Sequence, residues 1–323
     1  MHTRTSPHTS LAAIISCICL VFTWPSALAI SFSLDAASPT GAPTDDILTA
    51  GPFPVLPGGG SGFDVNGISY GHSHTSFASV SGFAFSVDRV SGGIPGTATF
   101  VESSGGLGEQ SADVYAATIA APLFNTLLFD GNGASPPGAG TAPIGLGLIE
   151  MIGGLPTDNL NALDLRLPPP IGGSIYWTSD SLTLPGFSAD IFITAAAPGY
   201  TAFPPAYVTA AGLGLSAADD IDALVVFDDG DGIYGAADTI LFSLAPGSPS
   251  LPGLSAGPGD ILIASGGGPV SAVPFALAGS LGLTPGDNVN ALDVFIVPEP
   301  SSLFLLGFGI TCLMMSHRRW QPC

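Results

Sequence analysis

A six-residue phrase recurs along this chain, and it limits the available folds more than any other feature. It reads Leu160-Asn161-Ala162-Leu163-Asp164-Leu165, Ile221-Asp222-Ala223-Leu224-Val225-Val226 and Val289-Asn290-Ala291-Leu292-Asp293-Val294, with a degenerate copy at Val65-Asn66-Gly67-Ile68. The polar anchors fall at 66, 161, 222 and 290. Four copies separated by loops of uneven length mark a repeat architecture, in which similar supersecondary units stack to bury a common core.

A second phrase follows the first: Phe83-Ala84-Phe85-Ser86-Val87, Ser174-Ile175-Tyr176-Trp177-Thr178 and Ile240-Leu241-Phe242-Ser243-Leu244. A third opens with an acid: Asp46-Ile47-Leu48, Asp113-Val114-Tyr115, Asp190-Ile191-Phe192-Ile193 and Asp260-Ile261-Leu262-Ile263. Short runs rich in aromatic and β-branched residues, bounded by Gly, Pro and Asp, read as strands. Between the third pair of phrases, Asp228-Asp229-Gly230-Asp231-Gly232 is a turn signal that predicts a hairpin. Gly-Leu-Gly-Leu at 145–148 and 212–215, with Leu281-Gly282-Leu283, completes units of three or four strands. The 44 Gly and 30 Pro interrupt nearly every window that a long amphipathic helix would need. Ser111 to Ala121 is one stretch with room for a turn or two of helix.

The ends of this region fix how the units combine. It opens with Ile30-Ser31-Phe32-Ser33-Leu34, a second phrase without its partner, and closes with Val289 to Val294, a first phrase without its partner. Pairing these two closes a ring of four units. The expected fold is therefore all-β, a four-bladed β-propeller-like ring closed by its N- and C-terminal strands, which protects edges that would otherwise template aggregation. The alternative is a β-sandwich whose strands look alike through shared composition.

Two apolar ends bracket this domain, which runs from 30 to 297. Residues 1–29 carry Arg4, the apolar run Leu11 to Phe22, and Ala27-Leu28-Ala29 before Ile30, the pattern of a secretory signal peptide cut by signal peptidase after Ala29. A lipobox at Ile14-Ile15-Ser16-Cys17 would leave only Leu11 to Ile15 as apolar core, too little for that rival reading. At the other end Val297-Pro298-Glu299-Pro300 precedes an apolar stretch over 301–316, followed by His317-Arg318-Arg319. As a transmembrane helix that stretch would span roughly 24 Å, short of a hydrocarbon core of about 30 Å unless the flanking arginines snorkel or the bilayer thins. The paired arginines would mark the cytoplasmic side.

Pro298, Glu299 and Pro300, an apolar stretch with Gly307 and Gly309, and Arg318-Arg319 stand in an order that closely resembles the PEP-CTERM sorting signal. The resemblance covers 298–323 and implies a route: an inner-membrane-anchored precursor, recognised by an exosortase-type membrane protease-transpeptidase of Gram-negative bacteria and cut near the Pro-Glu-Pro motif, whose product reaches the cell surface or the medium. It implies no activity. Trp320-Gln321-Pro322-Cys323 stands where that family usually shows a longer basic cluster. Pro298 and Pro300 deny the segment helix hydrogen bonds and hold it extended, a form that a protease can read.

Charge and thiols narrow the function. Of 25 acidic residues only Glu299 lies outside 30–297, and Arg89 and Arg166 are the only basic side chains there apart from histidine. Such a surface repels nucleic acid and anionic lipid, which excludes DNA or RNA binding. It suits divalent cations or salty surroundings. All four cysteines (Cys17, Cys19, Cys312, Cys323) lie in the terminal segments, so the exported domain holds together without disulfides.

Candidate chemistry is sparse. Asp228, Asp229 and Asp231, with Asp238 nearby, offer oxygen ligands to Ca²⁺, the one cofactor the residues suggest. They lack the spacing of an EF-hand loop, and Asp and Gly are favoured in such a turn for backbone reasons alone. Asp219-Asp220-Asp222 recurs as Asp158-Asn159-Asn161 and Asp287-Asn288-Asn290, losing charge while keeping side-chain oxygens, which points to side-chain-to-backbone hydrogen bonds where each strand starts. His72 and His74 would share one face of a strand but lack an adjacent third ligand. Gly67-Ile68-Ser69-Tyr70-Gly71 matches a nucleophile elbow in letters only, since it sits in a strand phrase and not before a helix. Among acids, Glu102, Glu109 and Glu150 are the domain's glutamates, and nothing singles out a catalytic pair. Tyr176, Trp177, Tyr200 and Tyr207 are candidates for stacking on sugars, with Tyr176 and Trp177 inside a strand phrase.

The expected function is that of an exported, non-enzymatic surface or matrix protein contacting polysaccharide or divalent cations. The second reading is an extracellular hydrolase of carbohydrate with an Asp-based site at one mouth of the ring. It predicts acids converging with raised pKa values, where the first predicts acids spread over the surface.

Overall fold

In a computed structural model the chain is described over 27–297, except 42–45, 50–52, 57–63, 72–81, 90, 105–109, 132–143, 149–150, 153–154, 157, 167–173, 181–185, 196–203 and 267–270. The expected membrane segment, the Pro-Glu-Pro motif and most of the signal peptide lie outside the described residues. Among those described, no helix is long and apolar enough to cross a membrane.

In chain order the strands are β1 (Ala27–Leu34), β2 (Ile47–Thr49), β3 (Phe53–Leu56), β4 (Val65–Ser69), β5 (Gly82–Val87), β6 (Val114–Thr118), β7 (Ala121–Asp130), β8 (Ile144–Gly145), β9 (Met151–Ile152), β10 (Leu155–Pro156), β11 (Leu160–Leu165), β12 (Ser174–Ser179), β13 (Ile191–Ala195), β14 (Ala206–Val208), β15 (Ile221–Phe227), β16 (Thr239–Leu244), β17 (Ile261–Ser265), β18 (Val273–Ala276) and β19 (Val289–Val297). They form four main sheets, and β9 pairs with β10 in a small ribbon. The first blade is β4-β5-β6-β7-β8, the second β11-β12-β13-β14 and the third β15-β16-β17-β18. The fourth is β19-β1-β2-β3, so the last strand joins the first and the ring of four closes as the unpartnered phrases predict. The fold is a four-bladed β-propeller-like ring, and the sandwich alternative is discarded.

Burial explains the look of each phrase. The first phrases are the inner strands, and β4, β11 and the first six residues of β15 are buried at every position. Strands packed on both faces read as unbroken apolar runs. The outermost strand of the third blade, β18, is largely exposed. The core lies between blades: one cluster joins Leu160, Leu163 and Trp177 to Val114 and Phe129, and another joins Val225, Leu241 and Ile261 to Phe32, Leu34 and Leu292.

The polar anchor and its small neighbour both have geometric reasons. Register shifts at Val65/Gly67, Leu160/Ala162 and Ile221/Ala223 place Asn66, Asn161 and Asp222 on β-bulges, where the extra residue leaves the ladder and turns its side chain elsewhere. The next residue must be small because the inner strands nearly touch: a Cβ on Gly67 would lie 2.9 Å from the backbone nitrogen of Leu163 in the next blade. Ala162, Ala223 and Ala291 fill the same place in the other blades and are fully buried.

A hydroxyl in each second phrase ties its blade to the next. Ser33 donates to Val65 O at 2.7 Å, Ser86 to Leu160 O at 3.1 Å, Thr178 to Ile221 O at 3.0 Å and Ser243 to Val289 O at 2.7 Å. All four bonds are buried, and together they run once around the ring. Ser243→Ala strips a buried carbonyl of this partner and is expected to cost about 1–3 kcal/mol, read as an earlier midpoint in urea unfolding.

The third-phrase acids serve the turns beyond them. Asp113 accepts from Gly131 N at 2.9 Å, Asp190 from Ala210 N at 2.7 Å and Asp260 from Ala278 N at 2.6 Å. Two expectations are corrected here. The Gly-Leu phrases at 212–215 and 281–283 are not strands but the ends of single helical turns. Gly214 (φ 74°) and Gly282 (φ 80°) adopt the left-handed conformation, and Leu215 N and Leu283 N reach back to Ala210 O and Ala278 O. Over Ser111 to Ala121 the chain forms a 3₁₀ turn (Gln110–Ala112) and then β6, because β5 offers Val114–Thr118 a ladder that a short helix cannot match.

Candidate functional site

Two polar rings line the inner strands, roughly 10 Å apart along the strand direction. The first stands where the inner strands begin. Asn66 Nδ2 donates to Asn159 Oδ1 at 3.1 Å, Asn161 Nδ2 to Asp220 Oδ1 at 2.9 Å, Asn288 Nδ2 to Asp222 Oδ2 at 2.7 Å, and Asn290 Nδ2 to Asn66 Oδ1 at 2.9 Å. Every blade thus bonds its neighbour through side chains. The sequence pattern foretells side-chain-to-backbone bonds for the whole cluster, and this holds one turn earlier. Asp219 accepts from Ser216 N and Ser250 N, and Asp287 from Thr40 N and Thr284 N. The residues that follow bridge between blades instead, and of these Asn66, Asn161 and Asp222 sit on the bulges.

Acids at this mouth are held away from their ordinary charge state. Burial, then the carboxylates of Asp35 and Asp88, push Asp64 up to about 7 against a hydrogen bond from Asn290. Burial and then Asp180 push Asp220 to about 6, opposed by Asn161 and Arg89. Asp222 stands well above the carboxylate range through burial, then Asp220, Asp35 and Asp180, with Asn288 opposing. The guanidinium of Arg89 is engaged by Asp180 at 2.7 and 2.8 Å.

The second ring joins side chains to the backbone of the following blade. Ser69 Oγ accepts from Leu165 N at 3.0 Å, Asp164 Oδ2 from Val226 N at 2.8 Å, and Asp293 from Tyr70 N. The fourth place holds Val225, which has no oxygen to offer, and Val294 N is met by its own neighbour Asp293 at 2.6 Å. Burial and then the nearby Asp164 raise Asp293 well above its usual range. Ser69, the elbow residue, lies fully buried in β4 and donates to Asp164 at 2.9 Å, so its oxygen is spent on the axis and not presented to a substrate.

The hairpin cluster differs in membership from the sequence expectation. Oxygens of Asp228, Asp229 and Asp238 lie within 4.8 Å of one another, and Asp231 is not in the group. Asp231 accepts instead from Ile233 N at 2.8 Å at the exposed tip of the turn. The clustered oxygens already serve the protein: Asp228 accepts from Arg166 at 3.1 Å, from Tyr176 and from Gly230 N at 3.0 Å, and Asp238 accepts from Tyr207 at 2.9 Å and Gly235 N at 2.7 Å. Burial raises Asp228, yet the bonds from Tyr176 and Gly230 and the charge of Arg166 outweigh it and hold the carboxyl below its usual range.

Tyr176, Trp177 and Tyr207 are buried, and Trp177 donates to Thr194 Oγ1 at 3.0 Å, so these rings are core and offer no platform to sugars. Glu102 is buried beside Asp113. His72, His74, Glu109, Glu150, Tyr200, Arg318 and Arg319 lie outside the described residues, as do Pro298, Glu299 and Pro300, while Ala27 and Ala29 fall in the first residues of β1. The ring hydroxyls escape sequence reasoning, although one signal was present: a Ser or Thr near the end of every second phrase.

The model of one family, the PEP-CTERM protein-sorting motif, matches residues 297–319. Comparison with curated proteins gives no match, and comparison with solved structures gives none.

Proposed function

We propose, from the premise that the chain ends in a PEP-CTERM protein-sorting motif, that the ring is the exported cargo and the tail its detachable address. The motif supports an exported protein sorted by an exosortase, a membrane protein. On this reading the signal peptide is cut after Ala29, the segment over 301–316 anchors the precursor in the inner membrane, and cleavage near Pro298-Glu299-Pro300 delivers the domain over 30–297 to the surface or the medium. The observation that carries the reading is where the motif starts. Val297 is both its first matched residue and the last residue of β19, so a cut beyond it leaves all four blades whole.

At its destination the domain acts as a non-catalytic surface or matrix component that meets polysaccharide directly or through divalent cations. In support, the recurring acids bind backbone amides, the second-ring acids are sealed in the core, and Tyr176, Trp177 and Tyr207 are buried. A second reading, hydrolysis of carbohydrate, is favoured by one observation, the convergence of Asp64, Asp220 and Asp222 with raised pKa values at one mouth. A reducing-sugar assay on the secreted protein separates the two: turnover abolished by Asp64→Asn or Asp220→Asn establishes the second.

The route is tested by replacing Pro298, Glu299 and Pro300 together with alanine in a host that carries an exosortase. The unaltered protein is expected to lose its tail, seen by mass spectrometry, while the variant stays in the membrane fraction at full length. Equal processing of both overturns the assignment.

A further inference from the structure

The outer strands of the second and third blades are built alike but are covered differently. In each, one residue bulges out of the pairing with the strand inside it: Tyr207 between Ala206 and Val208 in β14, and Phe275 between Pro274 and Ala276 in β18. Tyr207 is buried. The β15–β16 hairpin of the next blade lies over it, with the ring of Tyr234 edge-on at 5.8 Å between centroids and Asp238 accepting from the phenol at 2.9 Å. Phe275, by contrast, is 40% exposed. The cause is the closure of the ring: the blade after the third pairs β19 with β1 from the other end of the chain, so no hairpin joins those two strands and none reaches back over β18.

A second departure lies two residues on. Thr209 in the second blade stands at the start of a helical turn, and its hydroxyl accepts from Gly212 N at 3.4 Å. The same place in the third blade holds Leu277, which makes no capping bond and is 54% exposed. Threonine suits that position and leucine does not, so the turn gains nothing from the exchange. What gains is the surface, where Val273, Phe275 and Leu277 form an exposed apolar strip along β18 and just beyond it. Breaking a local rule without structural benefit is how functional positions show themselves. No charged residue lies between Asp260 and Asp287, and Asp260, whose carboxylate accepts from Ala278 N, is itself buried.

We propose that this strip is the contact between two copies of the ring, packed strip to strip about a twofold axis. Charge selects the partner. The chain carries a formal net charge of −20, so two copies meet with least repulsion where the surface has none, and an apolar strip is complementary to itself, as a twofold contact requires. Anionic lipid is repelled by the rest of the domain. A peptide added as a further strand is ill served by Pro274, which has no N–H to give. The inference rests on the proposed cut beyond Val297, which leaves nothing after β19 to take the place of the missing hairpin.

The test uses the form the sorting route delivers, made by ending the chain at Val297 and exporting it with its own leader, so that every strand of the ring is present and no exosortase is needed. Its sedimentation is followed from about 1 to about 200 μM at roughly 0.05 and roughly 0.5 M NaCl. The expected result is a monomer–dimer equilibrium that tightens with salt, because screening weakens the repulsion between two anionic rings. Phe275→Ser/Leu277→Ser changes exposed positions and puts a capping residue at 277; it is expected to keep the melting temperature and to weaken association by about tenfold or more. Phe124→Ser, at an exposed phenylalanine of β7, is expected to change nothing. A monomer under every condition overturns the proposal, as does association that persists in the double variant or falls equally in Phe124→Ser. So does a monomer that binds a peptide of residues 298–303, or vesicles of phosphatidylethanolamine and phosphatidylglycerol, through Phe275, since the strip would then belong to the tail or to lipid. Because the shortened chain bypasses sorting, this result and that of the Pro298, Glu299 and Pro300 variant fail separately.

Discussion

A chain from which Ile30 to Leu34 are deleted, with the leader joined to Asp35, is expected to lose cooperative folding and to be recovered as aggregate or as a slowly sedimenting unfolded chain. The segment is the middle of the fourth blade, flanked by β19 and β2, with Ser31 and Phe32 opposite Thr49 and Leu48. Phe32 and Leu34 are fully buried and Ile30 nearly so. Burying three such side chains is worth about 1.5–3 kcal/mol each, before the ladder bonds and the Ser33 contact to the first blade are counted. That loss rivals the whole stability of an ordinary domain, about 5–15 kcal/mol, and it also bares the edge of β19. Circular dichroism and gel filtration give the answer; a stable, monomeric product would count against a closed ring.

The second large effect is a fall in stability as pH rises. An acid whose folded pKa exceeds its unfolded value keeps its proton longer in the native state, so its contribution is complete below about pH 4 and disappears as pH climbs through the folded value. Asp64 loses its share by about pH 7 and Asp220 by about pH 6, and the more deeply buried Asp222, Asp113 and Asp293 act in the same direction. The groups facing the mouth are Asp35, Asp88, Asp180 and Arg89, so nothing nearby reverses the sign. Asp228 and Asp287 oppose it at the acid end: their depressed values favour the fold above about pH 4 and cease to do so as pH drops through them. Asp64 and Asp220 together are worth on the order of 3 kcal/mol after solvent screening, or roughly 5–10 °C in melting temperature. Melts in EDTA at about pH 5 and pH 8 test this, the lower pH giving the higher midpoint; equal midpoints would mean that both acids are charged throughout.

What could be read from the residues, and what could not, follows from the range of the forces involved. Strand phrases are local, and so Leu160–Leu165, Ile221–Phe227 and their partners were legible. Ring closure was legible for a different reason: two half-units at opposite ends can complete only each other. The anchors were recognisable as structural but not as bridges between blades, because a bulge redirects a side chain without leaving a mark on composition. The same limit applies to the hairpin acids. Asp238 joins Asp228 and Asp229 because β16 returns alongside β15, a pairing that proximity in sequence does not rank above Asp231. The Gly-Leu phrases misled because a left-handed glycine ending a turn and a glycine within a strand are the same letter.

The closing sheet also dictates when the molecule can exist. Asn288, in the segment that leads into β19, is 250 positions from its contact Ser38, just beyond β1, so the fourth blade cannot form while the polypeptide is still being made or threaded across a bilayer. Until the final strand emerges, the inaugural one waits with an open side. The other three sheets can form from strands already present, and only the closure of the ring is left to the end of the chain.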